Sequence, residues 1–374
     1  MSETNSRIVD EHGLTKDIEP LKQGEEIQNI NHQKTIIKEK VDSVLDDAEF
    51  DAKFEKAITT VETEAAGPVR KIDISPDTKI FPLPKDVIFF APGWLETLEA
   101  NKHLIKSLLH FGYRVISLEH PRDGGNTKNV NKRRVGAVSA VVDSVEDRPK
   151  MIGMGHSLGA IDISEYADPE RDLDTNLKFS NFILTNPAGL TRKTLGVRFP
   201  KLLWNYVKNH MAQKKEADKQ LKSGNSDFYN GIPTSNIATE VRSDLDTRGG
   251  EQFGSNLPLA GLEAVRVGSS SIQKSLYRLR ENGHKVYVFS QENDRLLPSS
   301  SFDLKVSDKS TRDPELKATG IKYVADDKAD VDGFISLAGY HNTPRNAHRL
   351  DLENNQWMSI VWIDALIRKL NGEG

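Results

Sequence analysis

Met151-Ile152-Gly153-Met154-Gly155-His156-Ser157-Leu158-Gly159-Ala160-Ile161 is the stretch on which the reading of this chain turns. Met151 to Met154 reads as a short buried strand. Leu158 to Tyr166 reads as a helix. Between them stands Gly-x-Ser-x-Gly, Gly155 to Gly159. A serine held on a sharp strand-to-helix turn crowds its neighbours, and glycine on both sides removes the Cβ atoms that would clash. By composition alone roughly 0.1 such matches arise by chance in a chain of this size. The flanking strand and helix therefore carry the weight. The helix start also places partial positive charge beside Ser157.

The same alternation extends outward. Upstream, Val69 to Ile74 and Lys79 to Leu83 are short strand candidates, and Asp86 to Phe90 is a continuous apolar strand. A helix is expected over Thr97 to Phe111, a strand over Tyr113 to Leu118 and a helix over Val135 to Val145. Downstream, Asn181 to Thr185, Lys285 to Ser290 and Phe334 to Ala338 read as strands, with a helix over Ile272 to Glu281. Short apolar strands interleaved with helices predict a mostly parallel sheet covered on both faces. Near the N-terminus, Ile37, Val41, Val44, Leu45, Ala48, Phe54, Ile58 and Val61 follow helical spacing, which predicts a helix over Lys34 to Thr63. Residues 1–33 are polar and without sustained period, the pattern of a disordered segment.

Composition narrows the function classes. The chain has 374 residues, enough for one large domain or two ordinary ones, and no cysteine. Disulfides, thiolate metal sites and a cysteine nucleophile are thus excluded. The net charge of −4 is unevenly placed, because residues 1–65 hold 16 acidic and 8 basic side chains and the rest is net basic. An acidic tail argues against nucleic-acid binding there. Met1 to Pro20 lacks an apolar core of the secretory kind, and no run of 18 apolar residues occurs. The expectation is a soluble cytoplasmic protein.

A serine hydroxyl needs a base to become a nucleophile. Gly339-Tyr340-His341 directly follows the last strand and supplies His341, with His348 as the rival. The histidine needs a carboxylate to hold its tautomer. Asp294, after the Lys285–Ser290 strand, is the candidate, with Glu292 and Asp303 as rivals. The tetrahedral intermediate needs two backbone N–H donors. Leu158 follows the nucleophile, and Trp94 stands in the Pro92-Gly93-Trp94 turn that ends the Asp86–Phe90 strand. His156, inside the motif, reads as a packing or supporting residue.

The blocks DVIFFAPGW, YRVISLEHPRDGG, MIGMGHSLGA, NFILTNPAGL, KVYVFSQENDRLLP and ISLAGYHNT, in that order, resemble the α/β-hydrolase superfamily from about Val69 to Leu370. The resemblance implies the α/β-hydrolase fold, a mostly parallel central sheet with helices on both faces and an inserted helical cap. It implies a Ser, Asp, His order of catalytic residues, met by Ser157, Asp294 and His341, and an oxyanion hole met by Trp94 and Leu158. Pro92-Gly93 stands where many members have His-Gly, and resembles the turn of cutinase-like esterases. A serine nucleophile disfavours dehalogenases and epoxide hydrolases.

The expected organisation is an acidic extension over 1–65, a first core part over 66–190, a cap over 191–271 and a second core part over 272–374. In the cap, Phe199, Leu202, Leu203, Trp204, Tyr206, Val207 and Met211 fall mostly on one helical face among many lysines. That face either covers the site or makes peripheral contact with a membrane or anionic surface. A second polar insertion runs from Val306 to Val331. The N-terminal helix is expected to pack on its own domain or on a partner. The expected activity is hydrolysis of a carboxylic ester, on a small-molecule or lipid-like substrate with an apolar part, without metal or cofactor. An acyltransferase, a peptidase and a non-catalytic binding protein of the same fold remain as alternatives.

Overall fold

The computed structural model describes residues 47–94, 96–121, 129–170, 178–190, 257–291, 321–324 and 331–337, the short strands 8–9 and 15–16, and single positions at 204, 208, 294, 297, 302, 363, 364 and 367. Its centre is a nine-stranded sheet. The strands are β3 (Ile58–Thr63), β4 (Gly67–Ile74), β5 (Val87–Ala91), β6 (Arg114–Glu119), β7 (Met151–His156), β8 (Phe179–Thr185), β9 (Val286–Gln291), β10 (Ile321–Val324) and β11 (Gly333–Leu337). Their spatial order is β10-β11-β9-β8-β7-β5-β6-β4-β3. From β11 to β6 every pairing is parallel, so the C-terminal ends of these strands share one edge. The pairings β10–β11, β6–β4 and β4–β3 at the two rims are antiparallel. β1 (Ile8–Val9) and β2 (Thr15–Lys16) form a separate antiparallel pair.

The helices are α1 (Asp47–Ala57), α2 (Lys102–His110), α3 (Val130–Asp143), α4 (Leu158–Tyr166), α5 (Leu257–Ser269) and α6 (Gln273–Glu281), with a 3₁₀ turn at Glu99–Asn101 leading into α2. The sheet is buried on both sides because side chains alternate across a strand. Phe89, Ile116, Met151, Phe182, Leu184, Val286 and Val288 point to the core shared with α3, α4, α5 and α6. Ile88, Phe90, Val115, Ile152, Met154, Ile183 and Phe289 point to the other core, with Phe50 and Phe54 of α1, Leu104, Ile105 and Leu108 of α2, and Ile363 and Ile367. Strands covered on both faces have no reason to alternate polar and apolar residues, so they read as continuous apolar runs.

β7 is the exception that positions the site. Its residues facing α4 are Gly153 and Gly155. A Cβ on Gly153 would lie 2.8 Å from the Phe182 ring, and one on Gly155 would lie 2.7 Å from the Ala160 Cα. The glycines let α4 lie directly on the strand that feeds it.

Two sequence expectations are corrected. The helix over Lys34–Thr63 ends at Ala57, and Ile58–Thr63 is β3, antiparallel to β4. Ile58-Thr59-Thr60-Val61 is a β-branched run that suits a pleated strand better than a helix. The division drawn at 65/66 therefore falls inside the β3–β4 hairpin, and α1 buries Phe50 and Phe54 in the core. Positions 34–46 lie outside the described residues. The strand expected over Lys79–Leu83 is a pair of turns instead. The Ile80 and Phe81 N–H groups donate to the Asp77 carbonyl at 3.1 and 2.8 Å, and Asp77 Oδ1 accepts from Lys79 N–H at 2.9 Å. Pro82 and Pro84 lack the N–H groups a ladder needs, and Leu83 is 80% exposed.

β10 lies inside the polar insertion over Val306–Val331, where the sequence pattern predicts no strand. Of the expected cap over 191–271, α5 is described, together with helical positions Trp204 and Lys208. Trp204 is exposed, with Lys208 Nζ 5.2 Å from its ring centroid. Among the described residues no helix is long and apolar enough to cross a membrane.

Candidate active site

The strand–turn–helix read from the sequence is present: β7 ends at His156, Ser157 forms the turn, and α4 starts at Leu158. Ser157 has φ 53° and ψ −117°, a conformation that non-glycine residues rarely adopt. Hydrogen bonds on both sides impose it. The Ser157 N–H donates to the Thr185 carbonyl at 3.0 Å, and the Ser157 carbonyl accepts from Ala188 N–H at 2.9 Å and Ala160 N–H at 3.2 Å. β8 and the turn after it therefore clamp Ser157 in place. The residue is only 3% exposed.

The Pro92-Gly93-Trp94 turn after β5 meets Ser157 directly. A Cβ built on Gly93 would lie 3.0 Å from Ser157 Cβ, so only a glycine allows this approach. The first turn of α4 presses on the same segment, since a Cβ on Gly159 would lie 2.1 Å from the Ala91 carbonyl oxygen and 2.5 Å from that of Pro92. Leu158 opens α4, where N–H groups have no intrahelical acceptor. Trp94 and Leu158, the two expected donors, thus flank Ser157 on adjoining segments.

Asp294 is buried three residues past β9, and its Oδ1 accepts from Leu297 N–H at 2.9 Å. That places it beyond the same edge of the sheet as Ser157. His341 lies outside the described residues, as do its rival His348 and the Asp294 rivals Glu292 and Asp303. Its place in the chain is four residues after β11, which pairs in parallel with β9.

This topology is shared with known structures. A hydrolase from Pseudomonas aeruginosa PA01 superposes with a TM-score of 0.51 at 13% identity, over 83% of this chain and 98% of its own. The esterase RhEst1 from Rhodococcus sp. ECU1013 superposes with a TM-score of 0.50 at 12% identity, over 84% of this chain and 99% of its own. The chain has the α/β-hydrolase fold. No protein-family model matches its sequence, and no curated protein does.

Within this α/β-hydrolase fold, two buried polar clusters flank the Ser157 turn, and sequence reading found neither. The first joins Glu96 to His156. Glu96 Oε2 accepts from Gly93 N–H at 2.8 Å, and Oε1 lies 2.8 Å from His156 Nδ1. The second surrounds Asp162, a fully buried acid of α4. Asp162 pairs with Arg134 of α3 at 2.7 Å and with Arg266 of α5, and His120 Nε2 lies 3.2 Å away. Arg134 also pairs with Glu263 of α5 at 2.7 Å, and its Nη2 donates to the Pro92 carbonyl at 3.4 Å. Burial alone would raise the Asp162 carboxyl. The Arg134 and Arg266 charges outweigh it and hold the group well below the usual carboxylate range. Burial, reinforced by the Arg134 charge, pushes the His120 imidazole down and keeps it neutral near pH 7. The one local hint of it is Asp162 standing among Leu158, Ala160, Ile161 and Ile163, and its partners lie far away in the chain.

Among the described residues no cluster of His, Asp and Glu side chains is arranged to hold a metal ion. The arrangement presents a buried serine on a strained strand-to-helix turn, at the start of a helix whose first N–H groups lack intrahelical acceptors.

Proposed function

We propose that the protein is a serine hydrolase that cleaves a carboxylic ester-type bond through an acyl-enzyme on Ser157. The observation that carries this reading is the strained Ser157 backbone at the β7–α4 junction, with Gly93 against its Cβ. Such strain persists only where surrounding structure enforces it, and it gathers at reactive turns. The two superposed structures, described as a hydrolase and an esterase, agree with the reading.

In this mechanism Ser157 is the nucleophile of a nucleophile elbow. His341 takes the hydroxyl proton as Oγ attacks the ester carbonyl, then returns it to the leaving alcohol. Asp294 orients His341. The Leu158 and Trp94 N–H groups bind the oxyanion. Water, activated by His341, releases the acid and restores Ser157. The substrate class that fits is a small ester or lipid-like molecule with an apolar part, and the chemistry needs no cofactor.

A fluorophosphonate probe tests the reading, followed by turnover of nitrophenyl esters of rising chain length. The wild type should label at Ser157 and turn over short or medium esters. Ser157→Ala should not label, and its turnover should fall by about a thousandfold or more. An unlabelled wild type, or equal labelling of Ser157→Ala, overturns the serine mechanism.

A further inference from the structure

We propose that Glu96 and His156 are positioning residues that set the oxyanion-binding turn against the nucleophile. This inference rests on the serine-hydrolase reading above and adds to it a device outside the three catalytic side chains.

The argument starts from the turn itself. Pro92-Gly93-Trp94 leaves the sheet at the end of β5 and offers the Trp94 N–H to the reacting carbonyl. A loop of this kind has no ladder partners to fix its orientation, and a misplacement of about 1 Å can lower a rate by about a hundredfold. Something must set the peptide planes on either side of Gly93, whose lack of a side chain otherwise gives it wide freedom. The Glu96 carboxylate does so. It folds back over its own turn and accepts from Gly93 N–H, which fixes the peptide before Gly93 and keeps that donor away from the substrate position. Its second oxygen faces His156 Nδ1.

His156 is the residue immediately before the nucleophile, the last of β7. With Glu96 ionised its oxygens only accept, and the hydrogen of this contact is then the one on Nδ1. One carboxylate thereby holds two segments at once, the donor turn from β5 and the residue before Ser157 from β7. Both side chains are almost fully buried, at 4% and 1% side-chain exposure. Charge-assisted hydrogen bonds are shorter and stronger than neutral ones, and burial shields this one from water. The cross-link joins the ends of two neighbouring strands, at the point where a Gly93 Cβ would strike both Glu96 Oε1 and Ser157 Cβ. The turn is therefore held by side-chain geometry where the sheet's hydrogen bonds have ended. A negative charge this near a developing oxyanion would oppose catalysis by itself. Its benefit has to come through position, which makes the amide isostere informative.

The test measures kcat and KM per active site on a short nitrophenyl ester, with active sites counted by fluorophosphonate titration. Counting sites separates slower chemistry from loss of folded protein. Glu96→Ala should lower kcat per titrated site by about tenfold to a hundredfold with KM changed less than about threefold. Glu96→Asp, which keeps the charge but retracts it by one methylene, should fall by about tenfold. Glu96→Gln can still accept from Gly93 N–H and donate to the other His156 tautomer, and should recover to within about fivefold of wild type. If Glu96→Ala yields no titratable sites, Glu96→Asp and Glu96→Gln decide. Rates per titrated site within twofold of wild type in every variant that folds overturn the proposal. So does a larger loss in Glu96→Gln than in Glu96→Asp, which would show that charge rather than position matters. Wild type that the probe does not label overturns the serine-hydrolase reading itself, and this inference with it.

Discussion

The two faces of the sheet are buried to a similar depth by different means. On the face of α1 and α2 the core is apolar: Phe50, Phe54, Ile72, Ile88, Leu104, Ile105 and Leu108 interlock, and polar contacts gather around it, as where Asp364 accepts from the Tyr113 hydroxyl at 2.7 Å with Lys85 Nζ 3.8 Å away. On the face of α3, α4 and α5 an apolar core of comparable make-up is threaded by charge, with Asp162 between Arg134 and Arg266, and Arg134 reaching on to Glu263 and Pro92. Apolar packing is non-directional and tolerates small shifts. Paired charges in a dry interior do not, because each must keep its partner. The directional face is the one that carries Ser157. A buried ion pair is weak evidence of net stability. Here it joins α4 to α3 and α5 and reaches the Pro92 carbonyl of the β5 turn.

The contrast can be broken most severely at Gly159. Gly159→Ala drives a methyl group into the Ala91 and Pro92 carbonyls, neither of which can move without dislodging β5. Little folded protein is expected, with a loss of about 4 kcal/mol or more in chemical denaturation of whatever is recovered. A variant as stable as wild type would mean that α4 does not press on the turn. A gentler break compares one substitution on each face. Asp162→Ala leaves two buried guanidinium groups short of a partner and should cost about 3–5 kcal/mol. Ile72→Val, in the apolar core, should cost about 0.5–1.5 kcal/mol. Urea midpoints read both, and similar losses would erase the distinction between the faces.

The smallest expected effect sharpens the contrast through pH. Burial and Arg134 hold the native His120 imidazole below its ordinary value. An unfolded chain takes up that proton below about pH 6.5 while the native state resists it. Stability is therefore full above about 6.5 and declines as pH falls toward the depressed native value, by at most about 1.4 kcal/mol per pH unit for each proton. Burial lowers His284 too, which contributes in the same direction. Asp162, also depressed, keeps its contribution down to far lower pH. Thermal melts between pH 7.5 and 5 should show the decline, and His120→Gln should flatten it in part. An unchanged slope in that variant would remove His120 from the cluster's account.

The residues around Ser157 were legible in the sequence because their signal is local: a short apolar run, three glycines and the start of a helix within sixteen positions. The parallel sheet was legible for the same reason, as runs such as Val87 to Phe90 cannot be anything but buried. Ile58 and Val61 misled because their spacing from Phe54 also satisfies a helix, and only pairing with β4 decides between the two periods. Lys79 to Leu83 misled because its apolar residues found no strand to pair with. The Arg134–Asp162–Arg266 cluster joins residues 28 and 104 positions apart. Nothing nearby in the chain announces such a contact. Glu96 was equally silent, since a carboxylate three residues past a glycine looks like any exposed turn until the turn is seen to be buried.

The unusual dihedrals of Ser157 also have a consequence for how this chain can change over generations. A glycine would sit in that conformation at ease, whereas any other residue carries strain of about 1–3 kcal/mol. Random substitution that raised stability at this position would erase the hydroxyl. Retaining a serine there leaves the protein permanently below its own stability optimum. The deeply packed cores on both sides of the sheet are the reserve that makes such a standing deficit tolerable.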